Sequence, residues 1–248
     1  MRPNPPDATS VVLVHGYHVD ALQWEEVVWG RPAEDRLGRV PRAVLLALGH
    51  PDPVLLFGTG AAARDGLLES EYTLEFARSR RHELEDLARR VLPSAAIARV
   101  GELLHERSRC ERTSATTRTE VAAGFETALS LGARHLTLVS SPTHVARCHQ
   151  TALTLLATTP RYALLAHGLA AVASDTTVAG RGPGDVVVLE PRTRAAGAVE
   201  FSDVARAALP LLDVPEAAAA YAAQWQELTR TWLGRAGGLD GQAEATSR

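Results

Sequence analysis

The chain contains no lysine, and all 26 of its basic side chains are arginine. That absence excludes a phosphate loop built on a lysine, a Schiff base and a lysine general base. The only asparagine is Asn4, so the body of the chain has no asparagine side chain to offer as a catalytic amide. Cysteine is as scarce: Cys110 and Cys148 are too few for a disulfide framework and too isolated for a zinc site, and they read as reduced thiols. No apolar run approaches the roughly 18–20 residues of a membrane helix, and the proline-rich, polar residues 1–7 do not form a signal peptide. A cytoplasmic protein is therefore expected. The formal charge of −3 leaves no electrostatic footprint for nucleic acid or an anionic membrane.

Several familiar catalytic signatures are missing too. The segment Val-Val-Leu-Val-His-Gly at 11–16 has the look of an early α/β-hydrolase strand, but no Gly-x-Ser-x-Gly elbow follows anywhere. No Asp-x-Asp nucleophile pair occurs, and Cys110 lacks the arginine spacing of a cysteine phosphatase loop. His15, His18 and Asp20 could approach a metal, yet no second ligand cluster joins them, so no metal is predicted.

What is present is an alternation. At 248 residues with 46% apolar content the chain can bury a full core. Short β-branched or leucine-rich runs at 10–15, 53–57 and 136–140 predict buried strands, with further candidates at 162–166 and 185–190 around the glycine-rich turn 180–184. Apolar residues at helical spacing predict helices over 32–48, 67–80 and on toward 90, 95–107, 117–131, 143–157, 202–212 and 215–233. Strands alternating with helices of this length imply a three-layer, doubly wound, Rossmann-like α/β fold with a mostly parallel sheet. The expected organisation is a flexible leader over 1–9, one domain over 10–235 and a disordered tail over 236–248. Trp225 and Trp232 on the last helix suit core packing or a homodimer contact.

In such sheets a ligand sits outside the carboxyl ends of the strands. Three strands lead into chemically unusual loops there: His-Gly-Tyr-His at 15–18, Gly-Thr-Gly at 58–60, and Ser-Ser-Pro-Thr-His at 140–144. To these add Arg36-Leu37 with Gly38-Arg39, Ser70-Glu71, a Glu-x-x-Ser-x-x-Thr segment ending at Thr117, and His144-x-x-Arg147. In that order, over residues 11 to about 158, the pieces resemble the bacterial YdcF, SanA and ElyC family. That family has Ser-Gly-Gly where this chain has Gly58-Thr59-Gly60. It has Asn, Glu and Asn at the positions of Thr116, Thr119 and Glu120. Residues 82–107 also make a longer segment than is usual in the family, and the membrane anchor of its envelope members is missing. The resemblance implies a doubly wound domain that binds S-adenosylmethionine, or a role in envelope homeostasis.

The residues admit chemistry of their own. His144, Glu71 and Glu111 are the candidate catalytic groups: an imidazole that titrates near neutrality and carboxylates that become bases when desolvated. Gly16, His18, Gly58, Thr59, Gly60, Ser70, Ser114, Thr117, Ser140, Ser141 and Arg147 are the candidate ligand contacts. The glycine loops would approach the ligand with their backbone, and Arg147 would clamp a carboxylate or phosphate. Capping the helix that follows is the other reading of Ser114 and Thr117. The leading expectation is a small-molecule enzyme or binding protein with a nucleotide-like ligand. The rivals are a hydrolase or transferase working on a phosphorylated or peptidic metabolite, and a scaffold without catalysis.

Overall fold

The computed structural model describes residues 9–21 and 23–175. The expected strand at 185–190, the two last helices with Trp225 and Trp232, and the tail lie outside these residues, as does most of the leader. Ser10–Val14 forms β1, every residue of it buried. A short helix α1 (Trp24–Val28) precedes a small hairpin, β2 (Gly30–Arg31) and β3 (Arg36–Leu37), wrapped around a 3₁₀ turn at Pro32–Glu34. Helix α2 (Arg39–Leu48) returns the chain to β4 (Pro53–Phe57). A second hairpin, β5 (Ala63–Arg64) with β6 (Leu67–Leu68), leads into α3 (Glu69–Ser79), α4 (Arg81–Val91) and α5 (Ser94–His105). Then come β7 (Ser108–Cys110), α6 (Thr117–Ser130), β8 (His135–Ser140), α7 (Pro142–Thr158), a 3₁₀ segment (Pro160–Gly168) and β9 (Leu169–Ala173).

Five strands form one all-parallel sheet in the order β7-β4-β1-β8-β9. Because successive side chains of a strand alternate in direction, β1 feeds two separate cores. Val12 and Val14 pack with α2, α3 and α5 on one face; Val11 and Leu13 pack with α6 and α7 on the other. The chain therefore makes a three-layer, doubly wound α/β domain. It steps from β1 outward to β4 and β7, then returns to β8 and β9 on the opposite flank of β1. The reversal falls between β1 and β8, and its carboxyl edge is where such folds open a crevice. No helix among the described residues is long and apolar enough to cross a membrane.

Two expectations are corrected. The periodicity over 32–48 suggests one helix, but its first third is the 3₁₀ turn and hairpin, and α2 begins only at Arg39. Gly38 caps it in extended conformation, lying so close to the backbone of Val28 and Trp29 that a Cβ would not fit. The apolar run 162–166 is not a strand. It belongs to the 3₁₀ segment, with Tyr162 and Leu165 buried and Leu164 79% exposed, and the strand follows at β9. Strand β7 was not anticipated: three residues, Ser-Arg-Cys, extend the sheet by pairing with Leu55, Leu56 and Phe57.

A buried polar cluster at the carboxyl edge of the sheet

At the ends of β1 and β8 the interior turns polar. His15, Arg39, Glu69, Glu120, Ser140, Ser141 and His144 are all buried there. Glu120, in the first turn of α6, bridges two neighbouring residues of the β1 loop. Its Oε2 lies 2.6 Å from His15 Nδ1, and its Oε1 accepts the Gly16 N–H at 2.8 Å. Arg39, the first residue of α2, extends beneath the same loop and donates to the His15 carbonyl at 3.0 Å, to the Gly16 carbonyl, and to Ser141 Oγ at 3.2 Å. Ser141 thus serves Arg39 rather than capping α7.

The electrostatics follow from these partners. Burial opposes charge on His15, but the Cys148 sulfur and the Glu120 carboxylate outweigh it and raise its pKa to about 10, so the pair is ionic at neutral pH. Glu69 is raised to about 8, chiefly by burial and then by the Glu120 charge, against the pull of Arg39 and a hydrogen bond from the Tyr17 N–H. Arg39 and the His15–Glu120 ion pair thus lie side by side, with Glu69 a neutral acid at pH 7.

His144 joins the cluster from α7, its ring 5.7 Å from that of His15. Arg147 Nη2 lies 3.2 Å from His144 Nε2, and because arginine has no lone pair to offer, Nε2 must be the accepting nitrogen. The proton of the neutral ring then sits on Nδ1 and is donated to Ser140 Oγ at 2.9 Å. Thr117 Oγ1 stands 3.2 Å from Nε2 and accepts from Arg147 as well. Burial, followed by the charges of Arg39, His15 and Arg147, pushes the His144 pKa well below its ordinary value. The ring is a neutral acceptor across the physiological range. Thr117 is half-buried and Arg147 exposed, so this trio forms the outer face of the cluster.

The other predicted residues do something different. Glu111 accepts from Thr113 N at 2.8 Å, Thr113 Oγ1 at 2.6 Å and Ser114 N at 2.9 Å, with the Ser114 hydroxyl adding a further bond. Burial pushes its pKa up, but these donors outweigh burial and leave it lowered. Ser70 Oγ donates to the Glu111 carbonyl, and Thr59 Oγ1 meets Ser114 Oγ at 2.8 Å. Glu71 caps α3 through Leu68 N and pairs with Arg112 at 2.8 Å. The Gly58 and Gly60 N–H groups bond to the carbonyls of Val14 and Ser114. His18 is exposed and accepts from Asp20 N at 3.3 Å.

The expectation that Glu71, Glu111 and His144 share one crevice is therefore corrected. Gly16, Thr117, Ser140, Ser141, His144 and Arg147 do converge, whereas Glu71, Glu111, Ser70, Ser114 and Thr59 brace β4 against β7. The glycines carry a further correction: a Cβ on Gly16 would collide with Glu69 Oε1, one on Gly58 with Glu120 Oε1, and one on Gly60 with the Arg112 carbonyl. Their bareness accommodates this chain's own carboxylates and backbone.

Sequence reasoning missed His15, Arg39, Glu69 and Glu120 as site residues. The one signal for the two glutamates was glycine at 16 and 58, which leaves room for something, and what fills it comes from distant segments. No group of three or more His, Cys, Asp or Glu among the described residues could hold a metal ion. A cavity of about 140 Å³ opens elsewhere, near Leu48, Pro53 and Leu103 by the amino end of β4. Its arginines are already held, Arg99 by the His50 carbonyl at 2.8 Å and Arg107 by Asp52 at 2.7 Å. Comparisons with family models, curated proteins and solved structures return no match.

Proposed function

We propose that this domain is a small-molecule enzyme that holds a nucleotide-like, anionic ligand over the β1–β8 crevice and moves a proton there through His144. The observation that carries this reading is the buried Arg39 guanidinium, held by carbonyl and hydroxyl oxygens beside an ionic His15–Glu120 pair. A buried cation with only neutral direct acceptors is costly unless something anionic approaches it. The start of α7 adds its positive dipole end at the same place.

In this reading Arg147 swings from His144 onto the ligand's anionic group, and Thr117 offers a hydroxyl beside it. His144 Nε2, released from Arg147, takes a proton from the ligand. Ser140 fixes the ring tautomer by accepting from Nδ1. The low pKa keeps His144 unprotonated at rest, and an arriving anion makes the imidazolium easier to form. A phosphate-bearing ligand suits Arg39 and Arg147 better than S-adenosylmethionine, whose sulfonium would face those cations.

Calorimetric titration at pH 7 with AMP, ADP, inorganic phosphate and S-adenosylmethionine tests this reading. Binding of the phosphate compounds, weakened about tenfold or more in Arg147→Ala through loss of a charge-assisted contact, is the expected result. No heat with any of the four overturns the ligand class. In a substrate screen, His144→Gln should lower turnover by roughly 10²–10⁴-fold; unchanged turnover removes His144 as the proton acceptor.

A further inference from the structure

Glu69 is the buried group that the proposed chemistry leaves unused. It begins α3, is 1% exposed, and its Oε1 has no hydrogen-bond partner. That oxygen points at the Cα of Gly16, on the floor of the β1 loop. Buried acceptors are almost always satisfied, so an orphaned carboxyl oxygen at the carboxyl edge of the sheet marks a contact waiting for a partner. The groups around it narrow the choice. Arg39 faces it from α2, Glu120 from α6 and the Tyr17 N–H from the β1 loop, and the Thr59 methyl closes the side toward β4. His15 pairs with the same Glu120 carboxylate, and His144 and the Cys148 sulfur stand one step further off.

From this placement we infer that Glu69 is a protonated ligand contact: its carboxyl donates a hydrogen bond to an oxyanion of the ligand, and the crevice takes up a proton with that ligand when it binds. The inference rests on the proposed anionic ligand and adds its chemical class and its pH dependence. A cationic or amine-bearing group would want the carboxylate form; an oxyanion wants the acid. The raised pKa of about 8, due first to burial and then to Glu120, means that the acid is the resident form at neutral pH. An oxyanion beside it raises that value further, and above pH 8 binding must draw a proton from solvent. The design reverses the usual carboxylate–arginine pair. Arg39 and a neutral acid share the anion between them, where an ionised Glu69 would compete with it.

Sulfate is the right probe, because it does not titrate between pH 6 and 9, so any pH dependence belongs to the protein. At constant ionic strength the wild-type dissociation constant should be flat below pH 7 and rise toward tenfold per pH unit above about 8. Glu69→Gln keeps a hydrogen-bond donor without a titrating proton and should bind sulfate with a flat profile across the range. Wild-type calorimetry at pH 8.5, in two buffers of different ionisation enthalpy, reads proton uptake directly and does not depend on the variant folding. Sulfate binding without uptake, or the same slope in Glu69→Gln, overturns the inference and leaves the proposed function standing. Absence of binding by sulfate, phosphate and AMP alike at pH 7 overturns both.

Discussion

Two halves of the same sheet edge carry buried carboxyls that behave in opposite ways. On the β4–β7 side Glu111 is surrounded by donors from its own loop, and its pKa falls below the ordinary value despite burial. On the β1–β8 side Glu69 is buried between two charges from distant segments, Arg39 and Glu120, one of its oxygens has no donor, and its pKa rises to about 8. Burial alone does not distinguish them, at 8% and 1% exposure. Local supply of N–H and O–H groups does: where a loop satisfies a carboxylate it becomes a brace, and where distant charges meet without full satisfaction the site stays receptive.

The largest test of this contrast is Glu120→Ala. It strips His15 and the Gly16 N–H of their partner and leaves a buried imidazolium beside Arg39, so chemical denaturation should show a loss of about 3–5 kcal/mol. The pH profile comes next. His15 keeps a folded pKa of about 10 against its ordinary 6.5, so its contribution is complete below pH 6.5 and disappears as pH rises through 10. Glu69, at about 8 against 4.5, also makes the fold hold a proton that the unfolded chain has released, and stability falls between those values. Thermal melts of Glu69→Gln at pH 9 should show it more stable than the parent by a few kcal/mol, with the difference vanishing near pH 4. His144 and His149 act in the acid direction, since burial lowers both and stability is lost as pH falls below 6.5.

Gly58→Ala forces a Cβ against the Glu120 carboxylate and should cost about 1–3 kcal/mol while also disturbing ligand binding. Ser114→Ala removes one hydroxyl donor from Glu111 and the Thr59 contact but keeps the Ser114 N–H bond. It should cost about 1 kcal/mol and leave AMP affinity unchanged. A large change of affinity in Ser114→Ala would erase the distinction between the two halves.

The sheet was legible where burial is continuous. The runs forming β1, β4 and β8 are apolar enough to announce strands packed on both faces, and the alternation with helices implied the doubly wound order. The edges were not legible. Strand β7 is Ser-Arg-Cys and β9 is Leu-Ala-Ala-Val-Ala, and pairing with a neighbour rather than intrinsic preference makes each a strand. The run at 162–166 is apolar yet turns into a 3₁₀ segment that wraps Tyr162 onto Phe125. Within the site, His144 with Arg147 was readable because both lie on one turn of a helix. Glu69 and Glu120 were not, since each acquires its meaning from a glycine at least 50 positions away, a relation that no local pattern encodes.

Amide chemical-shift mapping during an AMP titration at pH 7 tests the central claim most directly. A ligand over the β1–β8 crevice should produce saturable shifts at Gly16, Tyr17, Thr117 and His144, with Thr113 and Ser114 unmoved. Shifts confined to the Thr113–Ser114 loop, or none at all, would contradict it.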